Sequence, residues 1–149
     1  MPFTFRFKKE KISETEYALR PKIPITLSSG RKSKEIIAIL DTGSDVIYIP
    51  QEMAEYFDLE LSKDKQVCQG ADTEFQYRTS KIEIEVKKAH ESFKNWFDVI
   101  IPYQNPLHKD VILGTPFLMN FKITFDYRKG LIIMKKSESK FDFKRLKFR

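Results

Sequence analysis

The pattern that most limits the fold is a two-residue alternation of apolar and polar side chains, repeated in short segments along the chain. Successive residues of a β-strand point to opposite faces of a sheet, so this alternation predicts strands with one buried face. Turns rich in Ser, Gly and Pro separate the segments, which predicts a mainly β, barrel-like fold. The clearest alternating positions are Phe3, Phe5 and Phe7; Ile23, Ile25 and Leu27; Ile82, Ile84 and Val86; and Phe121, Ile123 and Phe125.

Two segments predict short helices. Gln51–Leu59 contains good helix formers, and Pro116–Asn120 follows Thr115, a residue type that favours the N-cap position. The polar stretch Lys8–Glu16 predicts a loop or a hairpin connection. A chain of 149 residues has the length of one domain and shows no linker or repeat, so residues 1–149 are predicted to form a single domain.

The positive charge is concentrated in one segment. The formal net charge is +6, and residues 135–149 hold seven Lys or Arg residues against two acids. The rest of the chain is therefore nearly neutral, which argues against a nucleic-acid-binding protein, although a short basic tail can touch phosphates non-specifically. The chain has no apolar run of about 18 residues and no secretory signal, so we expect a cytoplasmic protein without a membrane span.

Few residue types remain for metal or thiol chemistry. The single cysteine, Cys68, excludes a disulfide within the chain and a multi-cysteine zinc site. His90 and His108 are far apart in sequence and lie in polar stretches, so neither a metal nor a cofactor is predicted. Trp96 is predicted to pack in the core, with a role in a substrate pocket as the alternative.

One tripeptide carries candidate chemistry. Asp41-Thr-Gly follows Ile36–Leu40, a continuous apolar run that predicts a strand buried on both faces. An ionisable group in such a place costs free energy unless it has a role. Asp-Thr-Gly also suits an ordinary tight turn, so the tripeptide alone leaves both interpretations open.

The surrounding residues resemble the retropepsin-like, retroviral-type aspartic proteases. Ala38-Ile-Leu-Asp-Thr-Gly-Ser-Asp45 is similar to the family's catalytic loop, and Val111-Ile-Leu-Gly-Thr-Pro-Phe-Leu118 is similar to its second signature. The resemblance runs from about Arg20 to Met134, most of the chain. It implies a closed β-barrel of the acid protease type with one or two short helices, in a single-domain, homodimeric cellular member of the family.

The resemblance assigns roles to the residues of the loop. In the family two aspartates held close together share a proton and activate a water molecule. This chain has one such Asp, Asp41, so the resemblance implies a homodimer in which each chain supplies one carboxylate. Thr42 and Gly43 match support positions of the loop, and Asp45 matches a position that pairs with an Arg in retroviral members. Thr115 stands where that Arg would be.

Further positions match substrate-binding elements of the family. Ile39, Tyr48 and Ile112 match positions that line substrate pockets, and Gly114 is the glycine of the second signature. A hairpin centred on Gly70-Ala71-Asp72 is the candidate for the flap that closes over an extended peptide.

The ends of the chain and the function each leave an alternative open. The N-terminal strand 1–8 and the basic tail 135–149 are expected to contact the partner chain, or else Phe3–Phe7 pairs within its own barrel. The predicted function is an aspartic endopeptidase acting on extended peptides. The alternative is a catalytically silent peptide-binding or dimerisation module, suggested by the missing Arg and by the scarcity of glycine in the flap hairpin.

Overall fold

The computed structural model describes residues 1–69, 74–103 and 109–138, and within them it contains twelve strands and two short helices. The predicted flap tip (Gly70, Ala71 and Asp72) and residues 139–149 of the basic tail lie outside the described residues. The elements are β1 (Phe3–Arg6), β2 (Lys8–Lys11), β3 (Tyr17–Arg20), β4 (Lys22–Ser29), β5 (Lys32–Leu40), β6 (Ile47–Tyr48), α1 (Gln51–Tyr56), β7 (Gln66–Gln69), β8 (Glu74–Lys88), β9 (Glu91–Pro102), β10 (Val111–Leu113), α2 (Thr115–Leu118), β11 (Phe121–Asp126) and β12 (Leu131–Lys136).

Six strands close into a barrel. They follow the order β4-β5-β10-β6-β9-β8, and β8 pairs back to β4 between Thr26–Ser28 and Glu83–Glu85. A closed sheet leaves none of these strands as a free edge. The seventh strand, β7, extends the sheet by pairing with the first part of β8. The predicted mainly β, closed-barrel fold with two short helices is confirmed.

The barrel core explains the alternating sequence pattern. The alternating apolar residues of β4 and β8 are buried, Ile23, Leu27, Ile82, Ile84 and Val86 each to 0% exposure, while the polar residues between them face outward. No polar or charged residue in the described part of the chain is buried. Burial of apolar surface is therefore the main stabilising term of this core.

The chain order inside the sheet is unusual at one place. β5 and β6 are consecutive in sequence but are not neighbours, because β10 inserts between them, parallel to β5 and antiparallel to β6. The connection from Asp41 to Val46 must therefore pass around the end of β10. This insertion brings the two predicted signature segments together.

A smaller sheet contains the first and last described strands. β1 pairs with β12, which pairs with β11, all antiparallel. Phe3 and Phe5 are buried, and the ring of Phe3 meets that of Phe121 edge-on, with the centroids 6.2 Å apart. Strand β1 thus pairs within its own chain, as one of the two alternatives has it. A contact of segments 1–8 or 135–149 with a partner chain stays a prediction.

Both helices differ in their bounds from the sequence prediction. α1 ends at Tyr56 rather than Leu59, because Asp58 adopts a left-handed backbone with φ of 49°. Leu59 N then donates to Ala54 O at 3.1 Å, which closes the helix end. The N-cap of α2 is Gly114, one residue earlier than predicted.

Two further predictions from sequence need correction. Lys8–Glu16 was predicted as a loop or a hairpin connection: residues 12–16 do connect a hairpin, but Lys8–Lys11 form one of its strands, paired with β3 as a two-stranded ribbon. Its residues are mostly exposed, so no apolar alternation marked it. Trp96 is 53% exposed rather than in the core, since it follows Asn95 and precedes buried Phe97 on a strand whose faces alternate. Among the described residues, no helix is long and apolar enough to cross a membrane.

Candidate active site

Asp41 stands at the end of β5, where three backbone hydrogen bonds fix the chain. Leu40 N donates to Pro21 O at 2.9 Å, and Asp41 N donates to Leu113 O at 3.0 Å. Ser44 N donates back to Asp41 O at 3.2 Å, which closes the turn. The end of β5 is thus held by β10 on one side and by the start of β4 on the other, so the position of Asp41 is set by the barrel itself.

The carboxylate of Asp41 is held by its own loop. Its Oδ1 accepts a hydrogen bond from Gly43 N at 2.9 Å, and the residue is partly exposed. A Cβ on residue 43 would lie 3.3 Å from Oδ1, a tight contact, so the absence of a side chain at Gly43 allows this geometry. Oδ2 of Asp41 has no hydrogen-bond partner among the described residues. One oxygen is therefore oriented by protein, and the other is available to a water molecule or a second carboxyl group.

Gly114 makes the close approach of the two signature segments possible. A Cβ on this residue would lie 2.2 Å from Val46 O and 2.5 Å from Ser44 O, both backbone atoms. No L-residue with a side chain fits there without a shift of the loop. The backbone conformation of Gly114 is extended, so the requirement is one of space and not of φ.

Thr115 joins the loop to the second signature. Its backbone N donates to Ser44 O at 2.8 Å, and its Oγ1 donates to the same oxygen at 3.1 Å. Ser44 Oγ in turn donates to Val46 O at 2.9 Å. Thr115 therefore supports the loop through the backbone of Ser44. Sequence reasoning missed Ser44, since its role depends on a residue 71 positions away.

The remaining loop residues face solvent. Thr42 and Asp45 are both exposed, and Asp45 makes no ion pair within the described part of the chain. The assigned roles of Thr42, Gly43 and Asp45 toward a partner chain or a substrate stay predictions.

The three predicted pocket residues lie side by side on the outer face of the sheet. Ile112 is opposite Ile39 on one side and opposite Tyr48 on the other, and Tyr48 is opposite Ile100. Directly opposite residues of neighbouring strands share a face, so these four side chains form a row across β5, β10, β6 and β9. Ile39 and Asp41 leave β5 on the same side, because they are two residues apart.

This row is the centre of a second apolar cluster, separate from the barrel core. We call it the outer cluster: Tyr48, Ile100 and Ile112 are buried, and Ile39, Val46, Phe75 and Tyr77 pack against them while partly exposed. Phe75 and Tyr77 come from β8, next to the predicted flap tip. Sequence reasoning did not assign Val46, Phe75, Tyr77 or Ile100 to the site, although the two aromatic residues alternate along β8.

A separate cleft contains none of the predicted site residues. Its volume is about 770 Å³, and it lies between the segment Leu59–Ser62 and the central part of β8, at Thr79, Ser80 and Lys81. Two of the hydroxyl groups that line it already donate to backbone: Ser80 Oγ to Glu60 O at 2.7 Å and Ser62 Oγ to Asp64 O at 3.2 Å. Among the described residues, no three His, Cys, Asp or Glu side chains lie close enough to hold a metal ion.

The fold and this loop define a retropepsin-like protein. The structure is similar to that of a retropepsin-like aspartic protease from Rickettsia conorii, with a TM-score of 0.54 and 15% sequence identity, over 90% of this chain and 93% of that chain. It also has 17% identity to EIAV protease in complex with an inhibitor, with a TM-score of 0.47, over 67% of this chain and 86% of that chain.

The sequence model of a family described as aspartyl protease matches residues 23–117, and the chain therefore belongs to that family. The match includes both signature segments, from the loop at Asp41 to Phe117. A search of curated protein sequences finds no match.

Proposed function

We propose that this protein is an aspartic endopeptidase whose water molecule is activated between two Asp41 carboxylates, one from each chain of a homodimer. The observation that carries the proposal is the placement of Asp41: a partly exposed carboxylate, fixed through Oδ1 by Gly43 N at 2.9 Å, at the edge of an apolar surface. The membership of this chain in the aspartyl protease family supports the same reaction class, as does its structural similarity to the aspartic protease from Rickettsia conorii.

The chemistry follows from two carboxyl groups that face one another. Two such groups cannot both ionise easily, so the pair shares one proton. The ionised carboxylate takes a proton from water as that water attacks the peptide carbonyl, and the protonated carboxyl group donates to the carbonyl oxygen. The reaction needs no covalent intermediate and no metal.

The homodimer follows from the count of catalytic loops. The sequence contains a single Asp-Thr-Gly, so one chain supplies one carboxylate of the pair. A two-fold axis close to Asp41 would bring two copies of the loop together, with the same residues on both sides of the contact. The carboxylate of Asp41 is partly exposed, as a group that meets a second copy must be.

The outer cluster suggests the substrate class. An extended peptide binds by strand-like backbone hydrogen bonds and places alternate side chains in pockets. The outer cluster offers Ile39, Ile112, Phe75 and Tyr77 as apolar contacts beside Asp41. The substrate is therefore an extended peptide with apolar side chains near the cleaved bond, and the hairpin of β7 and β8 would cover it.

The test is cleavage of a complex peptide mixture between about pH 3 and 7, read by mass spectrometry. We expect cleavage by the wild type, none by Asp41→Asn, and full cleavage by Asp98→Asn, a matched control whose carboxylate is exposed on β9. Analytical ultracentrifugation of the same samples would report the oligomeric state. A dimeric wild type that cleaves nothing, or an Asp41→Asn variant that cleaves normally, would contradict the proposal.

A peptide-binding module without turnover is the second candidate. The observation that favours it is the exposed Asp45, which has no ion pair in the described part of the chain. On this alternative, wild type and Asp41→Asn bind extended apolar peptides with equal affinity and neither cleaves them.

A further inference from the structure

Two positively charged side chains converge on one aromatic ring at the base of the hairpin formed by β7 and β8. Lys65 Nζ lies 3.5 Å from the centroid of the Tyr103 ring, and the guanidinium carbon of Arg78 lies 5.4 Å from the same centroid. Lys65 immediately precedes β7, and Arg78 lies on β8. Tyr103 follows β9 and is fixed by a hydrogen bond from its N to Gln76 O at 2.8 Å.

The charges of this cluster are not balanced by acids. Neither Lys65 nor Arg78 takes part in any of the ion pairs between described residues, which engage other cations. The tyrosine ring attracts each cation through its quadrupole but has no net charge with which to neutralise them. Both cations contact the same ring and neither pairs with an acid among the described residues, so a ligand of negative charge would stabilise the arrangement.

Arg78 also has an unused donor. Its Nε is buried and has no hydrogen-bond acceptor. Among the described residues, no other buried side-chain nitrogen or oxygen atom lacks a hydrogen-bond partner. A buried donor without an acceptor costs free energy, and such groups call for an explanation. The planar guanidinium group presents paired N–H donors that match the oxygens of a phosphate or carboxylate group.

We propose that Lys65, Arg78 and Tyr103 form a binding site for a phosphate group. Arg78 would donate hydrogen bonds to phosphate oxygens from its terminal Nη groups, Lys65 would supply the second charge, and Tyr103 would contribute its apolar ring. The site is distinct from the candidate active site: Tyr77 packs against the outer cluster, and its neighbour Arg78 points to the opposite face of β8.

Binding of phosphate is expected to hold the base of the hairpin together. A phosphate held by both Lys65 and Arg78 links the two strands of the hairpin at its base and ties them to the end of β9 through Tyr103. The free ion and a phosphorylated side chain are the two possible sources of the phosphate group, since both present the same oxygens.

The first experiment is a titration of the ¹⁵N-labelled protein with inorganic phosphate at constant ionic strength, followed by NMR. We expect saturable shifts at the amides of Lys65, Arg78 and Tyr103 in the wild type. Arg78→Gln and Lys65→Met should each bind phosphate about tenfold more weakly. Lys87→Met, which removes an exposed lysine from the same strand, should bind like the wild type.

Several outcomes would overturn the proposal. These are the absence of saturable shifts in the wild type, shifts centred elsewhere, or unchanged phosphate affinity in Lys65→Met. Lys65 is exposed, so Lys65→Met is expected to fold. Its phosphate affinity therefore tests the proposal even if Arg78→Gln does not fold.

A second titration distinguishes the two sources of the phosphate group. A short neutral peptide with one phosphoserine is compared with inorganic phosphate and with the same peptide carrying serine. Tighter binding of the phosphoserine peptide identifies a phosphorylated side chain as the ligand, and tighter binding of inorganic phosphate identifies the free ion. Equal binding of the serine peptide would contradict a phosphate site.

Discussion

The carbonyl oxygen of Ser44 accepts two hydrogen bonds from Thr115, one from the backbone N at 2.8 Å and one from Oγ1 at 3.1 Å. These bonds connect the loop that carries Asp41 to the start of α2. From the resemblance to retroviral proteases, an Arg that pairs with the acid matching Asp45 would be expected at the position of Thr115. In this chain a neutral residue supports the loop through its backbone instead, so the support does not depend on the ionisation of Asp45.

Replacing Thr115 with Val keeps the shape of the side chain and removes the Oγ1 hydrogen bond. We expect a loss of about 0.5–1 kcal/mol in the free energy of unfolding, since Ser44 O keeps its bond from the backbone N. Thr115→Ser retains the hydroxyl and should be close to the wild type. Urea denaturation of the three proteins measures the difference, and equal stability of Thr115→Val and wild type would show that the Oγ1 bond contributes nothing.

Replacing Gly114 with Ala places a Cβ against Val46 O and Ser44 O, at 2.2 and 2.5 Å. The loop must move, and we expect a loss of about 3 kcal/mol or more in the free energy of unfolding. Gly30→Ala is the matched control: φ there is +59° and the space around a Cβ is open, so its cost is only about 1 kcal/mol of backbone strain. A smaller loss for Gly114→Ala than for Gly30→Ala in urea denaturation would contradict the packing described.

Ile112 and Leu113 are neighbours on β10 that face opposite ways, into the outer cluster and into the barrel core. Leu113→Ala should cost about 2–5 kcal/mol of folding free energy, and Ile112→Ala should cost less, because its cluster is smaller and partly open. If the outer cluster binds substrate, Ile112→Ala should also accept larger apolar side chains near the cleaved bond. Thermal unfolding and peptide-mixture cleavage measure the two effects, and an unchanged cleavage preference would remove Ile112 from the pocket.

Lys22 is bound by two carboxylates, with its Nζ 2.5 Å from Glu10 Oε1 and 3.2 Å from Asp110 Oδ2. The hydrogen bond to Glu10 is the largest cause that raises the pKa of Lys22 above its ordinary value of 10.5, and burial opposes it. Because the folded-state pKa is the higher one, the resulting stability is fully present below pH 10.5 and is lost as the pH rises through the folded-state pKa.

The comparison that isolates this effect is the melting temperature of wild type and of the Glu10→Gln, Asp110→Asn double variant from pH 8 upward. The wild type should be the more stable at pH 8, and the difference between the two should shrink once Lys22 loses its proton. A difference that stays constant through strongly alkaline pH would mean that the charge of Lys22 does not contribute.

Much of the fold was predictable because the strands of the barrel bury one face in the core and leave the other partly exposed. Strands such as Ile82–Val86 repeat their apolar residues every second position, which is the direct signature of burial on one side of a sheet. The ribbon of β2 and β3 was missed because its residues are mostly exposed and leave no such signature. The end of α1 was predicted too late because Asp58 adopts a left-handed backbone conformation. The spacing of hydrophobic residues gives no sign of that conformation.

The candidate site was predictable where its residues lie in contiguous motifs. Ile39 and Ile112 lie within the two signatures, and the structure places them opposite each other. Ile100 and Phe75 could not be assigned in the same way, because only the pairing of β6 with β9 and the path of β8 bring them to Tyr48. The residues around Ile100 and Phe75 have the pattern of ordinary strands. Only the pairing register between strands shows that the two residues belong to the site.

The insertion of β10 between β5 and β6 also has a consequence for the order of events during synthesis. Thr115 follows Ser44 by 71 residues, so the chain must grow well past the Asp-Thr-Gly loop before that loop acquires its neighbour. At about 5–20 residues per second this interval is roughly 4–14 s. During that time the nascent chain carries Asp41 without the strand that fixes it. On the proposed function, a growing chain has no fixed catalytic loop until its second signature segment has been made.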